Sequence, residues 1–375
     1  MSQPDTLALV EFAENGPSRR SRRDFLTGVA GRRTIGDDYW IRVHRRAMAC
    51  RFEITLASQD AAWVPAARAA LNEIDRIEDQ LSVFRESSVI SDVNRRAAPG
   101  RNPGCNNDAV QIDEALFGLL GQCGELHRAT GGAFDITSTP LSRCWGFLQR
   151  EGRVPSRDAI EAARASVGFD AVDLDHARST VQFRRSGIEL NLGAIGKGYA
   201  LDRVAVDMRG AGVTDALLSA GRSSLLAIGG RDAGWFVEVV SPRQSGGDDR
   251  PLARIWLRDA ALGTSGAGEQ FVIGDGTRYG HVIDPRTGWP ASGVLSASVI
   301  ASSAAVADAL STAFLVGGAD LAERYCADHS NVMALVTPDD GSEMPRVFGK
   351  VAGVIVKTAQ SFAESERGWG PASIE

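Results

Sequence analysis

The stretch that decides the fold runs from residue 296 to residue 316 and reads SASVIASSAAVADALSTAFLV. We predict a short strand at 296–300 and an alanine-rich helix at 303–316. A second helix near 320–328 and a strand at 332–336 follow. Strands and helices in direct succession indicate a mixed fold, and the rest of the chain shows which mixed class it is.

Outward from this stretch, the chain mixes helices with short strands. Alternating apolar residues between positions 48 and 56 predict a half-buried strand, and apolar residues at helical spacing predict a helix over 60–81. Further helices are predicted at 108–129, 156–167 and 196–209, with Ser156 as the N-cap of the second of these. Further short strands are predicted at 171–174, 181–183, 188–190, 216–218, 235–240, 255–257 and 271–273, and a long hairpin loop at 241–251. Because strict βαβ alternation is missing, we predict an α+β fold rather than a doubly wound sheet.

The composition excludes several classes of protein. With 41 basic and 47 acidic side chains in 375 residues, the net charge is −6. Nucleic acid is therefore not expected as the main partner, because phosphate binding needs a basic footprint. No run of about 18 or more apolar residues occurs, so we predict no transmembrane segment. The five cysteines are odd in number and lack CxxC spacing, which predicts neither a disulfide framework nor a zinc site.

Two segments favour the binding of a ligand near glycine-rich turns. GGAFDIT at 131–137 places an aromatic ring and a carboxylate directly after a glycine pair that stops a helix, and an ordinary helix end explains it equally well. NLGAIGKGY at 191–199 joins a strand to a helix, whose free amides and Lys197 favour an anion. It matches neither the P-loop nor the dinucleotide-binding pattern, and a tight structural turn is the alternative.

Two further segments carry groups suited to proton transfer and metal binding. In YGHVIDPRTGWP at 279–290, His281 can take a proton near neutral pH and Asp284 can orient it or bind a cation. In ADALST at 307–312, Asp308 and Thr312 are four residues apart on one helix face, and their oxygens are of the kind that Mg²⁺ prefers. A solvent-facing aspartate and a threonine bonded to its own helix are the alternative.

Taken in this order, the four segments resemble the FAD:protein FMN transferases, the ApbE-type flavin transferase family. Met48, LSVFR at 81–85 and TSG at 264–266 add to the resemblance, which spans about residues 46–336. It implies two closely packed α/β subdomains of T-fold type with the flavin site between them. It also implies Mg²⁺-dependent transfer of FMN from FAD to a Ser or Thr hydroxyl of a target flavoprotein, with release of AMP.

The resemblance implies roles for particular residues. The metal ligands would be the carbonyl of Ala194, the carboxylate of Asp308 and the hydroxyl of Thr312. His281 and Asp284 would lie beside the reacting phosphate, and either of them would serve as the base. The residues at the FAD site would be Met48, Phe84, Ala133, Phe134, Asp135, Asn191, Lys197 and Val282.

Two positions depart from the family pattern. Asn191 stands where the family usually has Asp, and AGRSS at 220–224 replaces a Gly-Gly-Asp, so that Arg222 brings a positive charge where a carboxylate is lost. Two other functions therefore stay open. One is a Mg²⁺-dependent FAD pyrophosphatase that gives FMN and AMP, and the other is a non-catalytic FAD-binding protein.

The ends of the chain differ from its centre. Residues 1–38 are predicted to be a disordered basic arm, in which SRRDFLT at 21–27 resembles a twin-arginine export motif without the apolar segment that should follow. We therefore favour a cytoplasmic protein, with export to the periplasm, which is common in the family, as the alternative. Residues 39–358 are predicted to form the flavin transferase domain, and 359–375 a flexible polar tail.

Overall fold

The computed structural model describes residues 9–13, 26–27, 39–98, 109–231, 233–241, 251–268, 270–342 and 344–358. The strands are β1 Leu9–Ala13, β2 Leu26–Thr27, β3 Trp40–Ala47, β4 Cys50–Ala57, β5 Val110–Gln111, β6 Val172–Asp175, β7 Thr180–Phe183, β8 Ala216–Ala220, β9 Ser224–Ile228, β10 Trp235–Val239, β11 Ala253–Leu257, β12 Ala261–Gly266, β13 Phe271–Gly274, β14 Thr277–Gly280, β15 Val294–Ala301, β16 Met333–Pro338, β17 Arg346–Gly349 and β18 Ile355–Thr358. The helices are α1 Val64–Leu81, α2 Val89–Arg96, α3 Glu114–Ala129, α4 Thr139–Cys144, α5 Arg157–Arg164, α6 Gly196–Gly210 and α7 Ala304–Asp328.

The centre of the protein is a large antiparallel sheet. Within the described residues it has nine strands in the order β1-β3-β4-β8-β9-β12-β15-β16-β17, and every neighbouring pair is antiparallel. Every residue of β15 is buried. Helices α1, α6 and α7 contact this sheet and one another, and their apolar side chains form the main core with it. The sheet therefore supplies a rigid platform for the N-termini of α6 and α7.

Two smaller layers complete the fold. A four-stranded sheet in the order β18-β11-β10-β2 packs its apolar residues against those of β8, β9, β12, β15 and β16 in a second core. A third core surrounds Trp145, which packs with residues of α4 and α5 and with the hairpin of β13 and β14. The indole of Trp145 donates to the Gly288 carbonyl at 2.9 Å, which anchors the loop after His281 to this third core.

The predicted α+β class is confirmed, and most predicted elements are present. The helices expected at 303–316 and 320–328 are the two parts of α7, which is interrupted at Gly318, where φ is +72°. Ser303 caps α7, and Ser156 caps α5 as predicted, by accepting a hydrogen bond from the amide of Ala159 at 3.2 Å. The predicted helix over 60–81 is a 3₁₀ turn at Ser58–Trp63 followed by α1.

Two predicted boundaries and one predicted strand were wrong. The strand expected from Met48 begins at Cys50, because Met48 and Ala49 form the two-residue turn between β3 and β4 with φ of +50° and +58°. The expected strand at 188–190 is only an isolated bridge between Glu189 and Ser138. The helix expected from residue 108 begins at Glu114, because Asp113 caps it. Strands β3, β5, β9, β12, β14, β17 and β18 and helices α2 and α4 were not predicted, and β16 extends to Pro338, beyond the predicted strand.

Several predictions fall wholly or partly outside the described residues. These are the arm 1–38, the tail 359–375 and the loop expected between 241 and 251, of which residues 242–250 are not described. Within the arm, β1 and β2 are strands that pair with β3 and β10, which the prediction of a disordered arm did not include. In the described part of the chain, α7 has the length and hydropathy of a membrane span, but 61% of the window concerned is buried inside the protein, as in a core helix.

Candidate functional site at the junction of α6 and α7

The second and fourth segments meet where α6 and α7 begin. The amide of Gly198, in the first turn of α6, donates a 2.7 Å hydrogen bond to Oδ2 of Asp308. A Cβ at Gly198 would lie 2.0 Å from the Ala304 carbonyl oxygen, so only glycine allows α6 to approach α7 this closely. Two segments that are more than a hundred residues apart are thereby joined at one carboxylate.

A second aspartate fixes the same junction. Asp202 of α6 accepts hydrogen bonds from the Ser303 hydroxyl at 2.7 Å and from the amides of Ala304 and Ala305 at 2.8 and 3.0 Å. It thus satisfies the first-turn donors of α7, which a carboxylate also stabilises through the helix dipole. Burial raises the pKa of Asp202, although these hydrogen bonds oppose the shift. Asp202 was not predicted as a site residue. The sequence feature that could have indicated it is a carboxylate among the apolar residues of a core helix.

Asp308 is the buried acidic centre of the site. It is 5% exposed, and its Oδ1 accepts a 2.6 Å hydrogen bond from the Ser224 hydroxyl. Burial raises its pKa to about 6, and the nearby charge of Lys197 opposes that rise. Among the described residues, both hydrogen-bond donors to this carboxylate are neutral groups, and the positive charge that acts on it is that of Lys197.

The two serines of the 220–224 departure connect Lys197 with Asp308. The Lys197 ammonium donates to the Ser223 hydroxyl, whose oxygen lies 3.5 Å from that of Ser224. Ser223 and Ser224 are both buried, at the start of β9. Arg222 precedes them in the turn between β8 and β9 with φ of +65° and is exposed. The segment that departs from the family pattern therefore supplies two hydroxyl groups to the centre of the site.

Further hydroxyl groups lie along α7 after Asp308, and those of Ser311 and Thr312 donate to the backbone carbonyl of Asp308 at 2.8 and 3.4 Å. The Thr312 hydroxyl lies one helical turn after Asp308 and 3.1 Å from the hydroxyl of Ser265, which also lies 2.8 Å from that of Ser311. Ala194 is in the turn that leads into α6. Among the described residues no group of three or more His, Cys, Asp or Glu side chains could hold a metal ion. One carboxylate with hydroxyl and carbonyl oxygens fits a hard cation that keeps water or phosphate ligands, such as Mg²⁺.

The His281 segment lies beside the end of β12. Ser265 of β12 contacts Thr312, and two residues later Ala267 lies against Gly280, where a Cβ would be 3.5 Å from the Ala267 carbonyl oxygen. His281 follows Gly280 directly, and its amide donates to the Gln270 carbonyl at 3.0 Å. The third segment is therefore linked through β12 to the α7 side of the site.

His281 and Asp284 have different surroundings. The His281 ring meets Phe147 edge to face at 6.5 Å between centroids. Both carboxylate oxygens of Asp284 accept hydrogen bonds from the guanidinium of Arg286, each at 2.8 Å, and Oδ1 also accepts the Arg286 amide at 2.9 Å. Such a two-point ion pair is strongly oriented. The charge of Asp284 is thus already balanced inside its own loop.

The first segment lies between the second and the third. The Asn191 amide donates to the Ile136 carbonyl at 2.7 Å, and a Cβ at Gly132 would lie 3.6 Å from the Cγ of Arg286. Ala133 and Phe134 are each only 1% exposed and belong to the main core. Of this segment, Gly132 contacts the His281 loop, through the side chain of Arg286.

Asp135 has partners inside the first segment and on α3. Its Oδ1 accepts from the Thr137 amide and hydroxyl at 2.8 and 2.6 Å, and Oδ2 lies 3.2 Å from Nδ1 of His127. The hydrogen bond with Asp135 raises the pKa of His127, while burial opposes that rise. Likewise, the side-chain oxygen of Asn191 accepts from the Gly193 amide at 2.9 Å, which shapes the turn before α6. The polar ends of Asp135 and Asn191 therefore hold the loops of the site.

A cleft of about 540 Å³ opens at the turn between β3 and β4. It is lined by Arg46, Ala47, Ala49, Cys50, Arg51 and Glu78. Burial raises the pKa of the Cys50 thiol to about 11, and that thiol interacts electrostatically with Lys197, Asp308 and Glu78. The cleft therefore lies next to the buried centre of the site.

Most of the predicted site residues come together, with differing exposure. Lys197, Ala194, Asp308 and Thr312 lie at the α6–α7 junction, and Met48 is beside it, since a Cβ at Gly196 would lie 3.3 Å from the Met48 methyl carbon. Val282 is half-buried in the His281 loop, and its carbonyl accepts from the amide of Ala291 at 2.8 Å. Phe84 is 77% exposed, in the loop between α1 and α2, whereas Phe134 is buried. Their assignment to FAD stays a prediction.

The geometry defines a protein with a buried polar centre on an α+β scaffold, and comparison with known proteins gives the family. Residues 48–336 match the model of the ApbE family. The FAD:protein FMN transferase of Treponema pallidum is 32% identical over 69% of this chain and 73% of that protein. The enzyme of that name from Rhodobacter capsulatus is also 32% identical, and the match covers 65% of this chain and 47% of that protein.

A solved structure agrees with the sequence relatives. The crystal structure of the ApbE protein of Thermotoga maritima superposes with a TM-score of 0.70 at 30% identity, covering 87% of this chain and 98% of that one. This chain belongs to the ApbE family. The family resemblance read from the four segments is thereby confirmed, as is the α+β fold.

Proposed function

We propose that this protein transfers the FMN moiety of FAD to a Ser or Thr hydroxyl of another protein, releases AMP and depends on Mg²⁺. The observation that carries the proposal is the set of contacts at the α6–α7 junction. There the buried Asp308 carboxylate accepts hydrogen bonds from the Gly198 amide in the first turn of α6 and from the Ser224 hydroxyl, and Lys197 of the same turn donates to the Ser223 hydroxyl. The names of the curated relatives, FAD:protein FMN transferase, support the same reaction.

The residues present fit a magnesium ion. Asp308 would hold it with one carboxylate oxygen, and the Thr312 hydroxyl and the Ala194 carbonyl would be further ligands. The acid is buried and has only neutral donors, so a cation would stabilise its charged form. A bound Mg²⁺ would offset the negative charge on the phosphate oxygens.

Lys197 and the first turn of α6 would bind the pyrophosphate of FAD. The ammonium group is held by Ser223, and the free amides at a helix N-terminus favour anions. The 220–224 segment, which departs from the family pattern, takes part in this arrangement. Ser223 and Ser224 make contacts with Lys197 and Asp308 themselves, so the segment supports the site although its carboxylate is lost.

His281 would take the proton from the acceptor hydroxyl. Both oxygens of the Asp284 carboxylate accept hydrogen bonds from Arg286. The carboxylate is therefore less available as a base, and it holds the loop instead. In the reaction, the acceptor oxygen bonds to the FMN-side phosphorus while its proton goes to the His281 imidazole. The bond from that phosphorus to the bridging oxygen breaks, and AMP leaves with the electron pair.

The test is an assay of products. The protein is incubated with FAD and a folded protein acceptor that exposes Ser and Thr residues, with Mg²⁺ or with a chelator. We expect a covalent flavin adduct by mass spectrometry and an equal amount of AMP, both only with Mg²⁺. AMP with free FMN and no adduct would show the pyrophosphatase instead. Retained FAD without AMP would show a non-catalytic binding protein, and no binding of FAD by the folded protein would overturn all three.

A further inference from the structure

One carboxylate connects the two segments that carry Met48 and Phe84. Glu78 lies near the end of α1, with a side chain that is 17% exposed. Its Oε1 accepts the amide of Met48 at 2.8 Å, and its Oε2 accepts from Nη2 of Arg85 at 2.5 Å. Arg85 is the neighbour of Phe84, so Glu78 holds the β3–β4 turn with one oxygen and the loop after α1 with the other.

The β3–β4 turn needs such support. Met48 and Ala49 both adopt the left-handed conformation, which is uncommon for residues other than glycine and costs of the order of 1 kcal/mol each. The hydrogen bond from Met48 to Glu78 fixes the first residue of this turn. As a result the Met48 methyl lies against Gly196 at the start of α6, directly beside Lys197.

The loop after α1 holds an aromatic ring in the open. The Phe84 ring is 77% exposed, although its backbone is fixed by a hydrogen bond from its amide to the Ser82 hydroxyl at 3.2 Å. The Ser88 hydroxyl donates to the Ser82 carbonyl at 2.6 Å and closes the loop. Arg85 joins this loop to α1 through Glu78 and Asp79. The backbone that carries Phe84 is therefore held in place, while its ring is largely exposed to solvent.

We propose that Glu78 is a positioning residue that fixes Met48 and Phe84 for contact with the isoalloxazine ring of FAD. The inference rests on the proposed function. A thioether and an aromatic ring both pack well on a flat ring system. If both are fixed before the flavin arrives, binding does not have to order two loops, which raises affinity. Glu78 also lines the cleft at this turn, so its carboxylate lies at the entrance to the site.

The test uses a substitution that cuts one of the two connections. In Glu78→Gln the amide oxygen can still accept the Met48 amide, but the NH₂ group now faces the Arg85 guanidinium, and two donors cannot bond. We expect the Kd for FMN and the KM for FAD to rise roughly fivefold, the range of a partly exposed ion pair. The Kd for ADP, which lacks the isoalloxazine ring, and the kcat at saturating FAD should not change.

Two further variants separate this role from a general loss of structure. Arg85→Gln removes the ion pair with Glu78 from the other side and the pair with Asp79 as well, so the double variant should cost no more than Arg85→Gln alone. Glu73→Gln is the matched control, because Glu73 lies on the same helix and pairs with Arg76 at 3.0 Å, away from both segments. Glu73→Gln should leave the Kd for FMN and ADP, the KM for FAD and the kcat unchanged. In the protein without flavin, hydrogen exchange at residues 82–88 should speed up in Glu78→Gln and not in Glu73→Gln.

Each outcome decides the inference. If wild type binds FMN and Glu78→Gln binds it equally well, Glu78 is not a positioning residue, while the proposed function stands. Equal losses for FMN and ADP would overturn the specific role at the isoalloxazine ring, and unchanged exchange at 82–88 would overturn the connection itself. If wild type binds neither FMN nor FAD, the proposed function fails, and the inference fails with it.

Discussion

Asp308 and Asp284 were both predicted as site residues from short motifs, yet the structure gives them opposite surroundings. Asp308 is buried and is bonded to an amide and a hydroxyl, both neutral. Asp284 is partly exposed and forms a two-point ion pair with Arg286. The charge of the partner decides what a carboxylate can still do. Asp308 keeps a charge that an incoming cation can balance, whereas the charge of Asp284 is already used to hold a loop.

The largest effect should come from Asp308→Asn, which removes the charge at nearly constant shape. We expect AMP release from FAD to fall by about 100-fold or more, since the proposed cation site loses its carboxylate ligand. Thermal stability should stay the same or rise. The buried acid has its pKa raised to about 6, so at neutral pH the ionised group opposes folding of the ligand-free protein.

The matched control for this variant is Asp320→Asn, an exposed aspartate on the same helix. Asp320→Asn should change neither AMP release nor thermal stability. Full activity in Asp308→Asn would place the cation elsewhere, and a large loss of thermal stability would mean that Asp308 is mainly a structural residue.

The second test compares the two candidates for the base. His281→Gln should lower the rate of FMN transfer by about 10²- to 10⁴-fold, the range for loss of a general base. Asp284→Asn should lower it only about tenfold, because it loosens the Arg286 loop without removing the proton acceptor. The measurement is the rate of adduct formation at saturating FAD. A larger loss in Asp284→Asn than in His281→Gln would reverse the assignment.

The third test concerns the neutral donors of Asp308. Ser224→Ala removes the hydroxyl that donates to Oδ1 and should lower AMP release by about 10- to 100-fold, as is typical when a group that orients a ligand is lost. Ser298→Ala is a fair control, because Ser298 is also buried on the same sheet but bonds to Thr264. If both variants behave alike, the effect comes from losing any buried hydroxyl, and Ser224 has no particular role.

The smallest effect concerns a carboxylate whose partner changes charge. His127 lies beside Asp135, whose hydrogen bond raises the pKa of the histidine above 6.5. Its stabilising contribution is therefore fully present below pH 6.5 and is lost as the pH rises through the raised pKa. The free energy of unfolding of wild type should exceed that of His127→Asn by about 1 kcal/mol or less at slightly acidic pH.

The gap between wild type and His127→Asn should shrink at mildly alkaline pH. Chemical denaturation at the two pH values measures the difference, and taking it between two proteins removes the contributions of other titrating groups. A gap that stays constant or widens with pH would mean that the protonated histidine does not stabilise this loop.

The prediction from sequence succeeded where local rules govern the chain. The helical spacing of apolar residues located α1, and the N-cap residue Ser156 located the start of α5, because caps act within one turn. The prediction failed where residues far away in the sequence determine the register of a strand or the partner of a residue. The alternation of apolar residues continues through the turn at Met48 and therefore predicts a strand there. The apolar neighbours of Glu189 likewise predict a strand where the structure has an isolated bridge.

By itself, the sequence determined the α+β class, the resemblance to the ApbE family, and the four segments with Lys197, Asp308, Thr312, His281 and Asp284. These follow from residue types at short spacing, which the order of the chain preserves. Only the tertiary structure decided the partners. Gly198, Ser224 and Lys197 surround Asp308, Arg286 neutralises Asp284, and Glu78 joins the turn at Met48 to the loop at Phe84. The physical reason is that the charge state and freedom of a side chain depend on burial and on its neighbours in space, and residues far apart in the chain supply those neighbours.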